Sequence, residues 1–344
     1  MPDFPYINAR VRAMRSRLLT PGQLEELLGA PTLEAFMQAL SSTPYGFDLQ
    51  EALLRYEGLR AVDEALAHSL ARTTRTILGF ADGRARDLIS LVLLRWDLAN
   101  LRVIVRGKHT GRSTDEIAQT LLPAGMLSDV VLKEMAGYPD VTGLAGTLES
   151  IDHPLAGPLA QGVAAYAKSK DIFDLELYLD RGYAEFVQRQ ARRLGAEAAV
   201  LGEMFQAEVD AANVKTALKL ASAAGLSDER RLQFFVPGGT AVTDRLFLAL
   251  SSAQTQAGAW ERLRAHRFPI KEFPQDLVAF ERDLDTRIGR VLAARYRGGD
   301  ALGVDIALGY IAMKSSEVAN LRMIARGKFL GLPREAVRKE MLVV

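Results

Sequence analysis

The chain has 344 residues, 49% of them hydrophobic and 25% charged, which supplies one large core or two smaller ones and excludes a disordered chain. Lys and Arg number 43 against 42 Asp and Glu, a formal charge of +1, so there is no global field to hold nucleic acid or an anionic membrane. Cysteine is absent, which removes disulfides, thiolate metal ligands and a thiol nucleophile together and fits a reducing compartment.

The start, Met1 to Arg17, alternates arginine with small apolar residues and has no continuous apolar stretch, unlike a secretory signal. Its Arg10, Arg12, Arg15 and Arg17 raise a phosphate-binding reading, but near-zero net charge and sparse aromatics favour ion pairing or a protein contact. Leu18-Leu19-Thr20-Pro21-Gly22 reads as a helix breaker. Leu49, Leu53, Tyr56, Leu59 and Val62 then recur three or four apart, predicting a long helix that opens at Asp48-Leu49 with the aspartate at the N-cap or in the first turn.

Leu88 to Val105 is the most apolar long segment, yet Arg95, Asp97 and Arg102 interrupt it well short of the roughly 20 clean residues of a membrane span. It runs into Asp97-Leu98-Ala99-Asn100-Leu101-Arg102, with an asparagine inside a predicted helix, where that residue is a poor choice. Arg106-Gly107-Lys108 follows. Ser113-Thr114-Asp115-Glu116 has a capping-box pattern that opens a short helix, and Leu121-Leu122-Pro123-Ala124-Gly125 is a second breaker.

Leu175, Tyr178, Leu179, Tyr183 and Phe186 predict the next long helix, opening at Asp174-Leu175. Asn213 lies in Asp210-Ala211-Ala212-Asn213-Val214-Lys215. The run 221–225 behind it keeps a glycine, one residue late, and loses the Gly-Lys pair. A third breaker is Phe234-Phe235-Val236-Pro237-Gly238, and Asp276-Leu277 opens a further helix. There Glu281, Asp283 and Asp285 mix with Arg282 and Arg287 as on a solvated helix face, not as catalytic carboxylates. The last unit holds Glu317-Val318-Ala319-Asn320-Leu321-Arg322, then Arg326-Gly327-Lys328 at the same offset as Arg106-Gly107-Lys108, then Pro333 and Glu335 in the first turn of a short helix.

Asparagine occurs only at 8, 100, 213 and 320, each time with a cation two residues later. These positions cut the chain into internal units of about 9–100, 101–213 and 214–320, with 321–344 closing the repeat. The expected fold is all-α, a single helical domain over 1–344 with its three units in a pseudo-threefold arrangement. Asn8, Asn100, Asn213 and Asn320 read as structural latches whose amides satisfy buried backbone groups, with small Ala99, Ala212 and Ala319 allowing close helix approach. Arg102 and Arg106, Lys215 and Lys219, and Arg322 and Arg326 share helix faces at i, i+4; they either pair with acids inside the fold or meet an acidic partner.

No catalytic, cofactor-binding or metal-binding residue is expected. The histidines at 68, 109, 153 and 266 lie far apart without metal-ligand spacing, and neither GxSxG nor GxGxxG occurs. Gly107-Lys108 and Gly327-Lys328 lack the leading glycine and the following Ser or Thr of a phosphate loop.

Tyr6-Ile7-Asn8-Ala9-Arg10-Val11-Arg12-Ala13-Met14, Leu18-Leu19 with Pro21-Gly22, and the helices around Asn100 and Asn320 resemble the C subunit of prokaryotic V-type (A/V-type) rotary ATPases, whose eukaryotic counterpart is the d subunit of the vacuolar ATPase. The resemblance covers Tyr6 to about Leu342. It implies a non-enzymatic funnel of three helical units on the cytoplasmic face of the membrane, seated on the proteolipid ring and receiving the foot of the central shaft. Torque would pass through it, while other subunits handle ATP and carry protons or sodium ions. The readings left beside it are a free-standing helical-repeat scaffold that binds proteins, an RNA-binding helical protein using the N-terminal arginines and, last, an enzyme whose site carries no recognised motif.

Overall fold

A computed structural model describes residues 4–223, 225–266 and 277–342, and among them the regular structure is helical, with no strand. The chain packs as two compact units, one of residues 1–141 and 289–344, the other of residues 142–288. The first contains α1 (Phe4–Ala13), α2 (Pro21–Gly29), α3 (Leu33–Ser41), α4 (Gly46–Leu53), α5 (Gly58–Gly79), α6 (Gly83–His109), α7 (Thr114–Ala118) and α8 (Asp129–Gly137). The second contains α9 (Leu144–Ser150), α10 (Ala156–Ser169), α11 (Ile172–Leu194), α12 (Ala199–Leu220), α13 (Asp228–Leu232), α14 (Asp244–Ser251) and α15 (Gln256–Ala265). Helix α16 (Leu277–Gly298) leads back to the first unit, which ends with α17 (Asp305–Phe329) and α18 (Arg334–Glu340).

One order of elements recurs along the chain. A short helix opens on a hydroxyl N-cap: Thr20 before α2, Ser128 before α8 and Thr243 before α14, each accepting from the backbone N–H three residues on. A second short helix follows, α3, α9 or α15. Later come a long helix, α5, α11 or α16, then the asparagine helix, α6, α12 or α17, and finally a helix of one or two turns, α7, α13 or α18.

In the first unit α17 lies against α1, α3 and α5. Its buried Ile306, Leu308, Ile311, Leu321 and Ile324 are each worth roughly 1.5–3 kcal/mol on removal from water. In the second, Phe247, Leu250, Trp260, Leu263, Phe280 and Leu284 form a core in which the Trp260 and Phe280 rings meet edge-on at 4.7 Å. Helices α10 and α11 form a tight hairpin turned at left-handed Lys170. Gly162 lets the Leu175 backbone approach, and Gly182 does the same for Pro158.

Several local expectations shift. The periodic run Leu49 to Val62 is not one helix: α4 ends at Leu53, and α5 begins at Gly58, whose φ of +52° breaks the path. Asp48 does stand in the first turn, buried, but of a short helix and not of a long one. Asp174 does stand in the first turn of α11, where Asp171 is the cap. Asp276 falls outside the described residues, as do the side chains of Glu281 and Asp285. Pro21 is the first residue of α2, not the end of a helix, because a proline N–H is dispensable in a first turn. Pro333 is likewise the cap of α18. The box at Ser113 forms with both of its bonds.

Candidate functional site

The four asparagines are all buried, and three make one geometry. Asn100 donates Nδ2 to Leu122 O at 2.7 Å and accepts from Leu122 N at 2.8 Å. Asn213 does the same with Val236, at 2.8 and 2.9 Å, and Asn320 with Leu342, at 2.8 and 2.7 Å. A carboxamide holds a donor and an acceptor side by side, so it pairs with both backbone groups of one residue; a carboxylate only accepts. This explains an asparagine where a helix would prefer another residue. Asn8 differs: its Nδ2 donates to Ala301 O and Gly303 O at 2.8 and 2.9 Å, and its Oδ1 has no hydrogen-bond partner.

Three residues before each of the three clasps stands an acid on the same helix face. Asp97 accepts from Met126 N and Leu127 N at 2.9 and 3.0 Å. Asp210 accepts from Thr240 N, Ala241 N and Val242 N at 3.0, 2.8 and 2.8 Å. Glu317 accepts from Leu19 N at 2.6 Å. Leu127, Val242 and Leu19 directly precede the N-caps Ser128, Thr243 and Thr20. Each acid therefore fixes the start of a following helix, and in the last case that helix is α2, at the other end of the chain. Glycine is required beneath two of the acids, since a Cβ on Gly125 or Gly239 would stand 2.0 Å from the Oδ1 of Asp97 or Asp210.

The Gly-Lys pairs belong to the same assembly. A Cβ on Gly107 would lie 2.4 Å from Ile117, and one on Gly327 would lie 2.4 Å from Val337, so these glycines seat α7 and α18. Lys108 donates to Ala136 O near the end of α8, and Lys328 to Leu28 O near the end of α2, at 2.7 Å. Burial holds both ammonium groups below their usual pKa. The middle copy has no such pair. Buried Arg231 takes its place, donating to Ser251 O at the end of α14 and also to Leu220 O and Ala223 O. Close approach also differs from expectation. Ala99 is exposed and Ala212 and Ala319 are half-buried, so the tight contacts form at Gly107 and Gly327.

The trailing cations follow one pattern: Arg102, Lys215 and Arg322 are half-buried, and Arg106, Lys219 and Arg326 are exposed. Arg322 lies 3.5 Å and Arg326 3.4 Å from the carboxylate of Asp63, and the other four also make interactions. Arg322 is held below its usual pKa by burial, against the opposing pull of Asp63.

A buried charged cluster joins α4, α17 and the N-terminal segment. Lys314, 2% exposed, is 3.2 Å from Glu317 Oε1 and 3.3 Å from Arg17 O, and its Nζ stands 3.8 Å from the centre of the Tyr45 ring. The Tyr45 hydroxyl donates to the same Glu317 oxygen at 2.7 Å, and the Tyr310 hydroxyl to Met14 O at 2.9 Å. Burial lowers the Lys314 pKa and raises those of both tyrosines, while Glu317 pulls Lys314 back up. Sequence reasoning missed this cluster. Its one visible signal is Lys314 in an otherwise apolar helix stretch.

A cleft of about 670 Å³ in the first unit is lined by Phe47, Asp48, His68, Arg72, Arg75 and Val130 among others. Arg72 covers the Phe47 ring and bonds Asp48 at 2.7 Å, so the buried carboxylate is already engaged. Among the described residues no group of three His, Asp or Glu is placed to hold a metal, and no helix is long and apolar enough to cross a membrane.

The family model described as ATP synthase (C/AC39) subunit matches residues 7–340. The chain is similar to the V-type ATP synthase C subunit of Deinococcus radiodurans, 33% identical over 344 residues covering 99% of this chain and 92% of that one. It is equally similar to that of Thermus thermophilus, 33% identical over 340 residues covering 99% and 98%. The A-type ATP synthase C subunit of Haloferax volcanii is 30% identical over 359 residues, covering 98% and 97%.

Proposed function

The chain belongs to the ATP synthase (C/AC39) subunit family, and from that premise we propose that it is the non-catalytic socket of the central stalk of a V-type rotary ATPase, peripheral to the cytoplasmic face of the membrane. In this role it joins the rotating shaft to the proteolipid ring, and its three look-alike units act as one domain that carries torque during coupled ion transport. The observation that supports this reading is the clasp made by Asn100, Asn213 and Asn320 with the acid three residues before each. A part that transmits torque must not yield, and stiffness comes from packed helices whose connections are pinned by buried, satisfied bonds.

The exposed cations Arg106, Lys219 and Arg326 are proposed to touch partner subunits, where polar contacts suit an interface between bodies of unlike symmetry. Pull-down of the chain from membranes, with identification of the bound proteins, tests both statements. Shaft and ring subunits are expected, and their recovery should fall when Arg106, Lys219 and Arg326 are changed to Gln together. Recovery of neither partner by the wild-type chain would end the proposal.

A further inference from the structure

Between Phe4 and Leu24 the chain has four arginines and no acid. Phe4, Ile7, Val11 and Met14 are buried, which leaves Arg10, Arg12, Arg15 and Arg17 exposed on α1 and the 3-10 turn Met14–Arg17, with Arg10 and Arg12 on opposite flanks of the helix. The backbone beneath them is fixed at intervals: Asn8 holds Ala301 O and Gly303 O, Tyr310 holds Met14 O, Lys314 holds Arg17 O, and Glu317 holds Leu19 N. The row of cations is therefore presented on a rigid support. Arg10 lies 4.8 Å over the Phe80 ring and 6.0 Å from that of Tyr6. Burial raises the Tyr296 hydroxyl above its usual pKa, and Arg15 and Arg12 both oppose that rise.

Among the described residues Arg12, Arg15 and Arg17 make no ion pair, and Glu25, Glu317 and Asp305 are engaged by other cations. Glu25 is taken by Arg334 and Arg338 at 2.7 and 2.6 Å, Glu317 by Lys314 and Leu19 N, and Asp305 faces Arg295 at 3.5 Å. Four like charges within eight residues repel one another; Arg10 is stacked on aromatic rings, while Arg12, Arg15 and Arg17 have no carboxylate beside them among the described residues.

We infer that this arginine-bearing segment is a docking site for a carboxylate-lined surface of a partner protein. Guanidinium groups match carboxylates as paired forks, and the held backbone beneath them lets several engage at a small cost in ordering. A membrane surface fits less well, because Tyr6 is the one large apolar side chain exposed on this helix and lipid binding needs apolar groups to insert. Single-stranded RNA would need a row of stacking aromatics. The inference goes beyond the socket role and does not depend on which partner bears the acids.

The test uses the full chain with three probes: a fluorescein-labelled decaglutamate peptide, vesicles of equal parts phosphatidylcholine and phosphatidylglycerol, and oligouridylate. The peptide is expected to bind best, with an affinity that falls as salt rises. Changing Arg10, Arg12, Arg15 and Arg17 to Gln should weaken it about tenfold or more, while changing all four to Lys should cost much less. Changing the exposed Arg55, Arg112, Arg189 and Arg297 to Gln, an equal loss of charge, should leave binding intact. Should the fourfold Gln variant unfold by circular dichroism, R12Q/R15Q gives the same readout. Unchanged peptide binding in the N-terminal variants, an equal loss in the control set, or tighter binding of vesicles or oligouridylate would each overturn the inference. Co-purification of ATPase subunits is scored separately, so failure of the socket role and failure of this surface are distinguishable.

Discussion

Asp210 serves three backbone amides with one carboxylate, and Gly239 has no side chain so that it can reach them. Asp210→Ala removes the acceptor of three N–H groups; that of buried Val242 is left without a partner at about 1–3 kcal/mol, and those of exposed Thr240 and Ala241 add less. Urea unfolding of Asp210→Ala should therefore show a loss of about 2–3 kcal/mol, clearly larger than that of Asp283→Ala on an exposed face. Asp48 gives a pH dependence of known sign. Burial raises its carboxyl above the ordinary 3.8, with Arg72 opposing the rise. The folded state thus keeps the proton longer than the unfolded chain, and the stability this group contributes below 3.8 is lost as pH climbs through the raised value. Asp48→Asn has no proton to release. Urea midpoints measured upward from about pH 4 should decline more for the wild type than for Asp48→Asn, and further up the scale for Arg72→Ala, which lacks the opposing cation.

Short helices are held here by their neighbours, since one or two turns are not stable alone. Helix α7 sits on Gly107 through Ile117, and α18 sits on Gly327 through Val337. Gly107→Val would push its side chain into Ile117 and is expected to cost about 1–3 kcal/mol. Amide hydrogen exchange should accelerate in residues 114–118 and leave the α10–α11 hairpin unchanged. The middle copy reaches the same end differently: α14 is capped by Arg231 in the way that Lys108 caps α8 and Lys328 caps α2. The constraint is the carbonyl near the end of the short helix. Which side chain meets it is free to vary.

The first and last parts of the chain are joined by the bonds of buried Lys314 to Arg17 O and of Glu317 to Leu19 N, and by Glu25 with Arg334 and Arg338. Removing one member of a buried pair leaves the other charge uncompensated, at about 3–5 kcal/mol, whereas replacing both leaves no lone charge and strands only neutral groups such as Leu19 N–H and the Tyr45 hydroxyl. Lys314→Met and Glu317→Leu should each lower the urea midpoint strongly, with the double variant more stable than either sum implies. Additive losses would show that the two charges do not act together in closing the chain on itself.

The all-α class, the family and the repeat are legible in residue order alone. Helical periodicity and a scarce residue in a recurring context depend only on residues near one another along the chain. The capping box at Ser113 is legible for the same reason, since its bonds span three residues. What those marks are for emerges only in the folded packing. The partner of Asn100 is Leu122, and the acids before the clasps reach about 30 residues onward or, for Glu317, back to Leu19. No local rule reads a contact of that span. The break between α4 and α5 was hidden because Leu49 to Val62 keeps a helical spacing across a turn. Lys314 was hidden because a buried cation is recognised only by what surrounds it. Pattern reports which face of an element is apolar; whether a polar group on that face is satisfied depends on atoms that only folding brings within about 3 Å.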